Sequence, residues 1–317
     1  MLSGVQYNGI DPPPFELPFV NNPDVATENT LKLMEQTPDA RKRLIFTSLT
    51  RHLHAFMKET KITMDEWEAS LAFLNRAGKL SDRGEPEIIM ALFGVHPLLE
   101  AMNNTSQPNI TESAPLGPFF SEHTQEVSNG NSIASEGKGE YMYVEGRVLD
   151  TEGNPVANAV IDAWEADDTG HYDLQYAGQT PDCRGRLRTD PEGKFSFRAI
   201  VPLAYPATAD GPAGDLLLAM NRHNMRPAHL HMVFDAPGYD KLTTQLYFRG
   251  DKWLSTDIAL GVKESLVVDL EQVDDIERAR ALGFGRPERG FKLLKKDIFL
   301  RKSSDAEGRP GYETTSV

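Results

Sequence analysis

The chain has 317 residues, 39% of them hydrophobic and 9% aromatic. That is enough apolar material for a sizeable core and excludes a wholly disordered protein. Lys+Arg 33 against Asp+Glu 47 leaves a net charge of −14, which argues against nucleic acid and anionic membrane surfaces, since both recruit basic patches. No apolar run reaches the roughly 18 residues of a membrane span. The start of the chain lacks a basic region followed by an apolar one, so the reading is a cytoplasmic protein without a signal peptide. Cys183 stands alone, which excludes an internal disulfide and a thiolate metal cluster.

The expected organisation is an extended arm over 1–20, a helical domain over 21–106, a β-sandwich domain over 107–302 and a polar tail over 303–317. In the helical part, Ile45, Leu49, Leu53 and Phe56 recur every three or four residues and predict one amphipathic helix. Thr63-Met-Asp-Glu66 reads as a capping box opening a second, with Trp67, Leu71 and Leu74 on one stripe and Gly78 as its stop. Residues 86–93 predict a third helix ended by Gly94, and 97–102 a short fourth. The stretch 107–139 reads as an ordered connector, because Pro115-Leu-Gly-Pro-Phe-Phe120 is too apolar for a free linker. From about 140 the period drops to two. Strands are expected at 141–149, 160–164, 187–189, 194–200, 228–235, 243–248 and 265–270, and Asp190-Pro-Glu-Gly193 reads as a hairpin turn. Many short strands with regular turns suggest an antiparallel sandwich, so the fold class is α+β.

The sharpest local feature is Arg226-Pro-Ala-His229-Leu-His231. On a strand the two imidazoles share a face, about 6.5–7 Å apart along the backbone. They supply half of a metal site, or are simply two half-exposed histidines. Arg226 places a permanent cation beside them. No acidic residue repeats at ligand spacing nearby, but Tyr172 and Tyr205 each follow the end of an expected strand, where sites are commonly built. Either could equally be a packing or turn residue. A phenol ligates only a hard, highly charged ion able to displace its proton, so two phenolates with two neutral imidazoles suit iron(III) better than zinc.

Pro115-Leu-Gly-Pro-Phe119, Trp164-Glu-Ala with Gly170-His-Tyr172, Pro202-Leu-Ala-Tyr205-Pro and Arg226-Pro-Ala-His229-Leu-His231 together, in order and spacing, resemble the intradiol ring-cleaving dioxygenases. The branch is that of the catechol and hydroxyquinol 1,2-dioxygenases, fungal members included, and the likeness runs from about 20 to about 300. It implies one non-haem Fe(III) held by Tyr172, Tyr205, His229 and His231, with Tyr205 axial and released when substrate binds. It implies that Arg226 stabilises negative charge developing on the ring and that Gln245 supports the iron's surroundings. It further implies a pocket wall of Leu116, Gly117, Pro118, Phe119, Ile258 and Ala259. The partners are an aromatic diol and O2, and the product a cis,cis-muconate-type diacid, which from hydroxyquinol is a maleylacetate precursor. Catechol, hydroxyquinol, protocatechuate and chlorocatechol all stay open as substrates. Leu242-Thr-Thr-Gln245 and Ala259 lean towards catechol enzymes, and Gly261-Val-Lys-Glu-Ser-Leu266 towards hydroxyquinol enzymes. Ile88-Ile-Met-Ala-Leu-Phe93 lacks a Ser-Asp pair common there in both branches, and with it a polar group that could meet an extra ring hydroxyl. In this family the N-terminal helices form a homodimer interface that holds a phospholipid in an amphipathic tunnel.

Two other classes compete. Val144-Glu-Gly-Arg-Val148 and Asp190-Pro-Glu-Gly-Lys-Phe195 also fit prealbumin-like sandwiches that only bind, which need none of the four candidate ligands. A zinc hydrolase on His229 and His231 would need a third acidic ligand that no spacing shows.

Overall fold

The computed structural model describes residues 9–103, 109–178 and 180–303. Residues 1–8 of the expected arm and 304–317 of the expected tail lie outside them. Residues 9–20 carry neither helix nor strand. Contacts group the chain into two compact units that meet between Asn75 and Arg76.

The first unit holds α1 (Pro23–Met34), α2 (Ala40–Thr60) and most of α3 (Met64–Gly78). Each begins where a side chain satisfies the amide groups that the first turn leaves free. The Asn22 side chain accepts from the Asp24 and Val25 N–H groups, and Asp39 from Lys42. The capping box forms as read, with the Thr63 N–H donating to Glu66 Oε2 at 2.8 Å and the Glu66 N–H donating to Thr63 Oγ1 at 3.3 Å. Ile45, Leu49, Leu53 and Phe56 of α2 are all solvent-exposed, Leu49 to 62%.

The second unit opens with the last turn of α3, then α4 (Glu85–Leu92) and α5 (Val95–Asn103). The break in contacts thus lies before α4, whereas the helical domain was expected to run to residue 106. Long-range pairing explains the difference. Arg76 pairs with Asp215 and Arg83 with Asp210. The buried Glu85 carboxylate accepts the Ala213 N–H at 2.8 Å, at the start of a later helix whose N-terminus favours an anion.

The sandwich comprises β1 (Tyr141–Asp150), β2 (Val160–Glu165), β3 (Arg184–Arg188), β4 (Lys194–Ile200), β5 (Tyr205–Pro206), α6 (Pro212–Ala219), β6 (Met225–Arg226), β7 (His229–Asp235), β8 (Leu242–Phe248), β9 (Val267–Val268), β10 (Glu271–Val273), α7 (Ile276–Ala281), β11 (Phe291–Lys295) and β12 (Ile298–Leu300). One sheet runs β10-β11-β1-β12, with β4 also on β1. The other runs β3-β2-β7-β8-β9, and β5 and β6 form a separate two-stranded ribbon. The main core lies between the two sheets. Met142, Val144, Val148, Phe195, Phe197, Leu294 and Ile298 of the first sheet and Ile161, Ala163, Leu187, Leu230, Met232, Phe234 and Leu246 of the second all belong to it. Alternation on β7 therefore turns His229, His231 and Val233 to the opposite, outer face of the second sheet.

Two details differ from the sequence reading. The sheets are mixed: β1 pairs with β11 and β12 in parallel, and β8 with β9 in parallel, beside antiparallel pairs such as β1 with β4 and β2 with β7. The expected hairpin at Asp190-Pro-Glu-Gly193 is also corrected. The turn exists, closed by the Gly193 N–H to Asp190 O and by the Asp190 N–H to Lys194 O. Its flanking strands nevertheless part, β3 pairing with β2 in one sheet and β4 with β1 in the other. Burial decides this, because Leu187 and Phe197 fill the inter-sheet core from opposite sides. The sequence reading also passed over α6, α7, β11 and β12. Among the described residues no helix is long and apolar enough to cross a membrane.

Candidate metal centre

The outer face of the second sheet carries a small cluster of Trp164, Ala166, Tyr172, Tyr205 and Val233, with Phe119 and Phe120 packed against it. Three separate pieces of chain cover that face. The connector passes over His231 at Gly117, whose φ is +77° and where a Cβ would lie 3.1 Å from His231 Cε1. Glycine is required there on both counts. Phe119 then stacks on Tyr172, ring centroids 4.4 Å apart at 17°, and Phe120 meets Trp164 edge-on at 5.3 Å.

The second piece presents Tyr172. Asp167 accepts from the Thr169 and His171 N–H groups and from the Tyr176 hydroxyl, tying the loop after β2 to itself. The Tyr172 N–H donates to Gln175 Oε1 at 2.8 Å. Buried Arg184 grips Asp173 through both Nε and Nη2, and Nη2 also donates to Phe119 O at 2.8 Å. One buried guanidinium thus fixes the tyrosine loop and the connector together. The third piece is the β5–β6 ribbon, in which Tyr205 stands opposite Arg226.

These elements bring four donor atoms together. His229 Nε2 and His231 Nε2 are 3.0 Å apart. Tyr172 Oη lies 3.3 Å from His229 Nε2, 3.2 Å from His231 Nε2 and 3.3 Å from Tyr205 Oη. Tyr172 is completely buried, His229 and His231 nearly so, and Tyr205 is 7% exposed. His229 Nδ1 lies 2.7 Å from Pro227 O. A carbonyl only accepts, so Nδ1 carries the proton and Nε2 offers a bare lone pair to the cluster. Trp164 stacks on His231 at 4.5 Å and 9°, setting the second ring.

The electrostatics favour neutral imidazoles. Burial lowers the His229 pKa, and the Arg226 charge lowers it further; burial, His229 and Arg226 do the same to His231. Burial raises the Tyr172 phenol well above its ordinary value, with Tyr205 adding to it. A protein holding only these groups keeps that phenol protonated, and a phenolate there needs a cation to displace the proton. Among the described residues no group of three His, Cys, Asp or Glu side chains is placed to hold a metal. A full ligand set on this face therefore has to draw on the phenols, and a buried N2O2 set with bare imidazole nitrogens fits a hard trivalent ion.

Arg226 points at the same cluster, Nη1 lying 3.4 Å from His229 Nε2. Burial opposes its charge, but Tyr205, Asp257 and Tyr247 outweigh burial and hold its pKa above the ordinary guanidinium value. Gln245 Oε1 accepts from Arg226 Nη2 at 3.1 Å and from the Tyr247 hydroxyl at 2.6 Å, and its Nε2 donates to Pro115 O. Of the expected pocket wall, Gly117 and Phe119 touch the cluster. Leu116 and Pro118 are exposed, Ile258 is buried and Ala259 partly so. Ile258 is held by its carbonyl, which accepts from Arg222 at 3.4 Å, while the Ala259 N–H donates to Asp257. Sequence reasoning gave no role to Asp257, Tyr247 or Arg184. No local pattern marks them, because the charged partner of each lies 11 to 31 residues away.

Comparison with known proteins decides the family. Residues 116–290 match the family described as Dioxygenase, and residues 39–111 the Catechol dioxygenase N terminus. The chain belongs to the intradiol ring-cleavage dioxygenases. It is 42% identical over 78% of its length to the intradiol ring-cleavage dioxygenase hqdA of Aspergillus niger, covering 76% of that protein. It is 41% identical over 80% of its length to a 6-chlorohydroxyquinol 1,2-dioxygenase of Cupriavidus pinatubonensis, covering 93% of it. The crystal structure of hydroxyquinol 1,2-dioxygenase from Pseudomonas putida DLL-E4 superposes with a TM-score of 0.81 at 36% identity, over 89% of this chain and 99% of that one. As an intradiol dioxygenase the enzyme uses O2 to cut a catechol-type ring between its two hydroxylated carbons, and its family is dependent on non-haem iron.

Proposed function

We propose that this enzyme holds one Fe(III) through Tyr172, Tyr205, His229 and His231 and that hydroxyquinol is its best substrate, with catechol slower. The observation that carries the iron site is the convergence of four buried donor atoms from three chain segments, each within 3.3 Å of another. The relatives named for hydroxyquinol and 6-chlorohydroxyquinol support the substrate. When bound, the iron supplies Lewis acidity and a template that draws electron density from the chelated diol.

The protein supplies the rest. Tyr205, the more accessible of the two phenols, is the one suited to leave the ligand set and accept a diol proton at Oη. Tyr172, wholly buried between Phe119 and the histidines, stays. Neutral imidazoles add no charge, so the two phenolates would offset two of the three charges of an iron(III), and one further anion would leave the site neutral and limit the penalty for burying it. Arg226 is a fixed cation beside the cluster, placed to stabilise negative charge as it develops on the ring. Gln245 holds Arg226 from one side and the connector from the other, as a support that keeps both in place. Gly117, Phe119, Ile258 and Ala259 form the apolar surface for the ring, and Leu116 and Pro118 its exposed rim.

The test is a rate comparison on hydroxyquinol, catechol, protocatechuate and a chlorocatechol, with iron content and the visible spectrum recorded. The expected outcome is a coloured ferric protein whose kcat/KM is highest for hydroxyquinol. Colourless, iron-free yet active protein would refute the metal reading, and a higher value for catechol the substrate order. Tyr205→Phe is expected to keep its iron, shift the colour and slow turnover roughly tenfold or more, within the range for general acid–base groups. An unchanged rate would remove Tyr205 from proton transfer.

The exposed α2 stripe of Ile45, Leu49, Leu53 and Phe56 supports a homodimer through the N-terminal helices, since a face that apolar and exposed marks an interface. A bound phospholipid belongs to the same reading. Sedimentation is expected to return about twice 35.3 kDa, and extraction a lipid; a monomer without lipid would overturn both.

A further inference from the structure

Asp257 is 1% exposed and receives four hydrogen bonds. Oδ1 accepts from Arg226 Nε at 3.1 Å and from the Ala259 N–H at 3.3 Å. Oδ2 accepts from Arg226 Nη2 at 3.3 Å and from the Gly261 N–H at 3.1 Å. Each carboxylate oxygen thus holds one guanidinium nitrogen and one backbone amide. A single side chain folds the turn 257–261, which carries Ile258 and Ala259 of the ring wall, and orients Arg226.

The turn also packs beside the guanidinium and closely against its partner Tyr247. A Cβ at Gly261 would stand 3.3 Å from Tyr247 Oη, 3.5 Å from Asp257 Oδ2 and 3.7 Å from Arg226 Nη2. On the far side, Arg222 donates to Ile258 O at 3.4 Å and to Leu92 O at 2.8 Å, bracing the same turn against the end of α4. On the near side, Gln245 links Arg226 to Pro115 at the start of the other wall. Both walls of the expected ring pocket therefore end on one cation. Arginine has a long side chain with many rotamers. Holding Nη1 at one place beside His229 requires partners at its other nitrogens, and Asp257 is the one that bears the opposite charge.

We propose that Asp257 is a positioning residue that couples the ring wall 257–261 to Arg226, so that substituents pressing on this wall change turnover and not affinity alone. The proposal rests on the role given to Arg226 above. In the iron-loaded enzyme, Asp257→Asn is expected to keep its iron and visible band and to hold KM within about threefold. Its kcat should fall roughly 100-fold, the cost of misplacing a catalytic group by about 1 Å. The ratio of kcat between 4-methylcatechol and catechol should change as well. Gly261→Ala keeps every charge while crowding Tyr247 Oη, a partner of Arg226, with a methyl group that also comes into van der Waals contact with the guanidinium. It is expected to show the same pattern at roughly tenfold, and it decides the matter if the asparagine variant does not fold. Unchanged kcat, a change in KM alone, or loss of iron at retained fold would overturn the proposal. Wild-type enzyme without iron or ring cleavage would instead refute the reading on which it rests.

Discussion

Replacing His229 with alanine is expected to yield colourless protein with little or no bound iron and ring cleavage lowered by about 10³-fold or more, the rate cost of losing several kcal/mol of metal-supplied stabilisation. The reason is geometric. His229 Nε2 lies within 3.4 Å of His231, Tyr172 and Arg226, so it touches two of the other donors and the cation beside them. Its other nitrogen is already committed to Pro227 O. The variant would leave one imidazole and two phenols, and would place the Arg226 cation beside a less complete donor set. The fold should survive, because alternation on β7 puts Leu230 and Met232 in the core and His229 on the outer face. Elemental analysis, the visible spectrum and oxygen uptake check the result, with a thermal melt as control. Full iron occupancy would remove His229 from the ligand set.

Arg226→Gln should have the second largest effect, of a different kind. Iron and diol binding should persist, while kcat falls about 10²–10³-fold, the usual cost of removing one preorganised charge-stabilising group. A loss confined to KM would contradict a role in the transition state. The loss should also be independent of pH. Tyr205, Asp257 and Tyr247 overcome burial and raise the Arg226 pKa above an already high guanidinium value. The folded-state pKa being raised, the charge is present throughout the working range and would be lost only in strong alkali. Any ionisation seen in the wild-type pH profile must therefore come from another group. The substitution also strips the buried Asp257 carboxylate of its ion pair, so some destabilisation accompanies it; Asp257 retains its amide donors from Ala259 and Gly261.

Much of this architecture was legible from local rules. His229 and His231 share a face because strand periodicity is two, and that needs no tertiary information. The Thr63–Glu66 box marked the start of α3 because capping acts over three residues. The turn at 190–193 was legible for the same reason, since Asp190 accepts from Glu192 and Lys194 within its own loop. The identity of the strands beside that turn was not legible. Asp190-Pro-Glu-Gly193 joins β3 and β4 whether they pair with each other or separate into two sheets. Only filling the space between the sheets with Leu187, Phe197 and their neighbours selects separation.

The site shows the same division. The four residues proposed as donors were singled out by residue type and by resemblance, but their meeting depends on pairings across 33 to 59 residues. The C-terminal strands β11 and β12, which lock β1 in parallel, pair residues about 150 apart, as do Met142 and Lys292. Asp257, Tyr247 and Arg184 stayed invisible because the charged partner of each, Arg226 for the first two and Asp173 for the third, comes from a different strand or loop. The sequence by itself determined the element types, the shared face of the two histidines and the chemistry of the donors, all of which follow from contacts within a few residues. The tertiary structure alone decided which sheet each strand joined, how closely the donors approach and which carboxylate holds Arg226, because core burial and polar satisfaction operate between segments far apart in the chain.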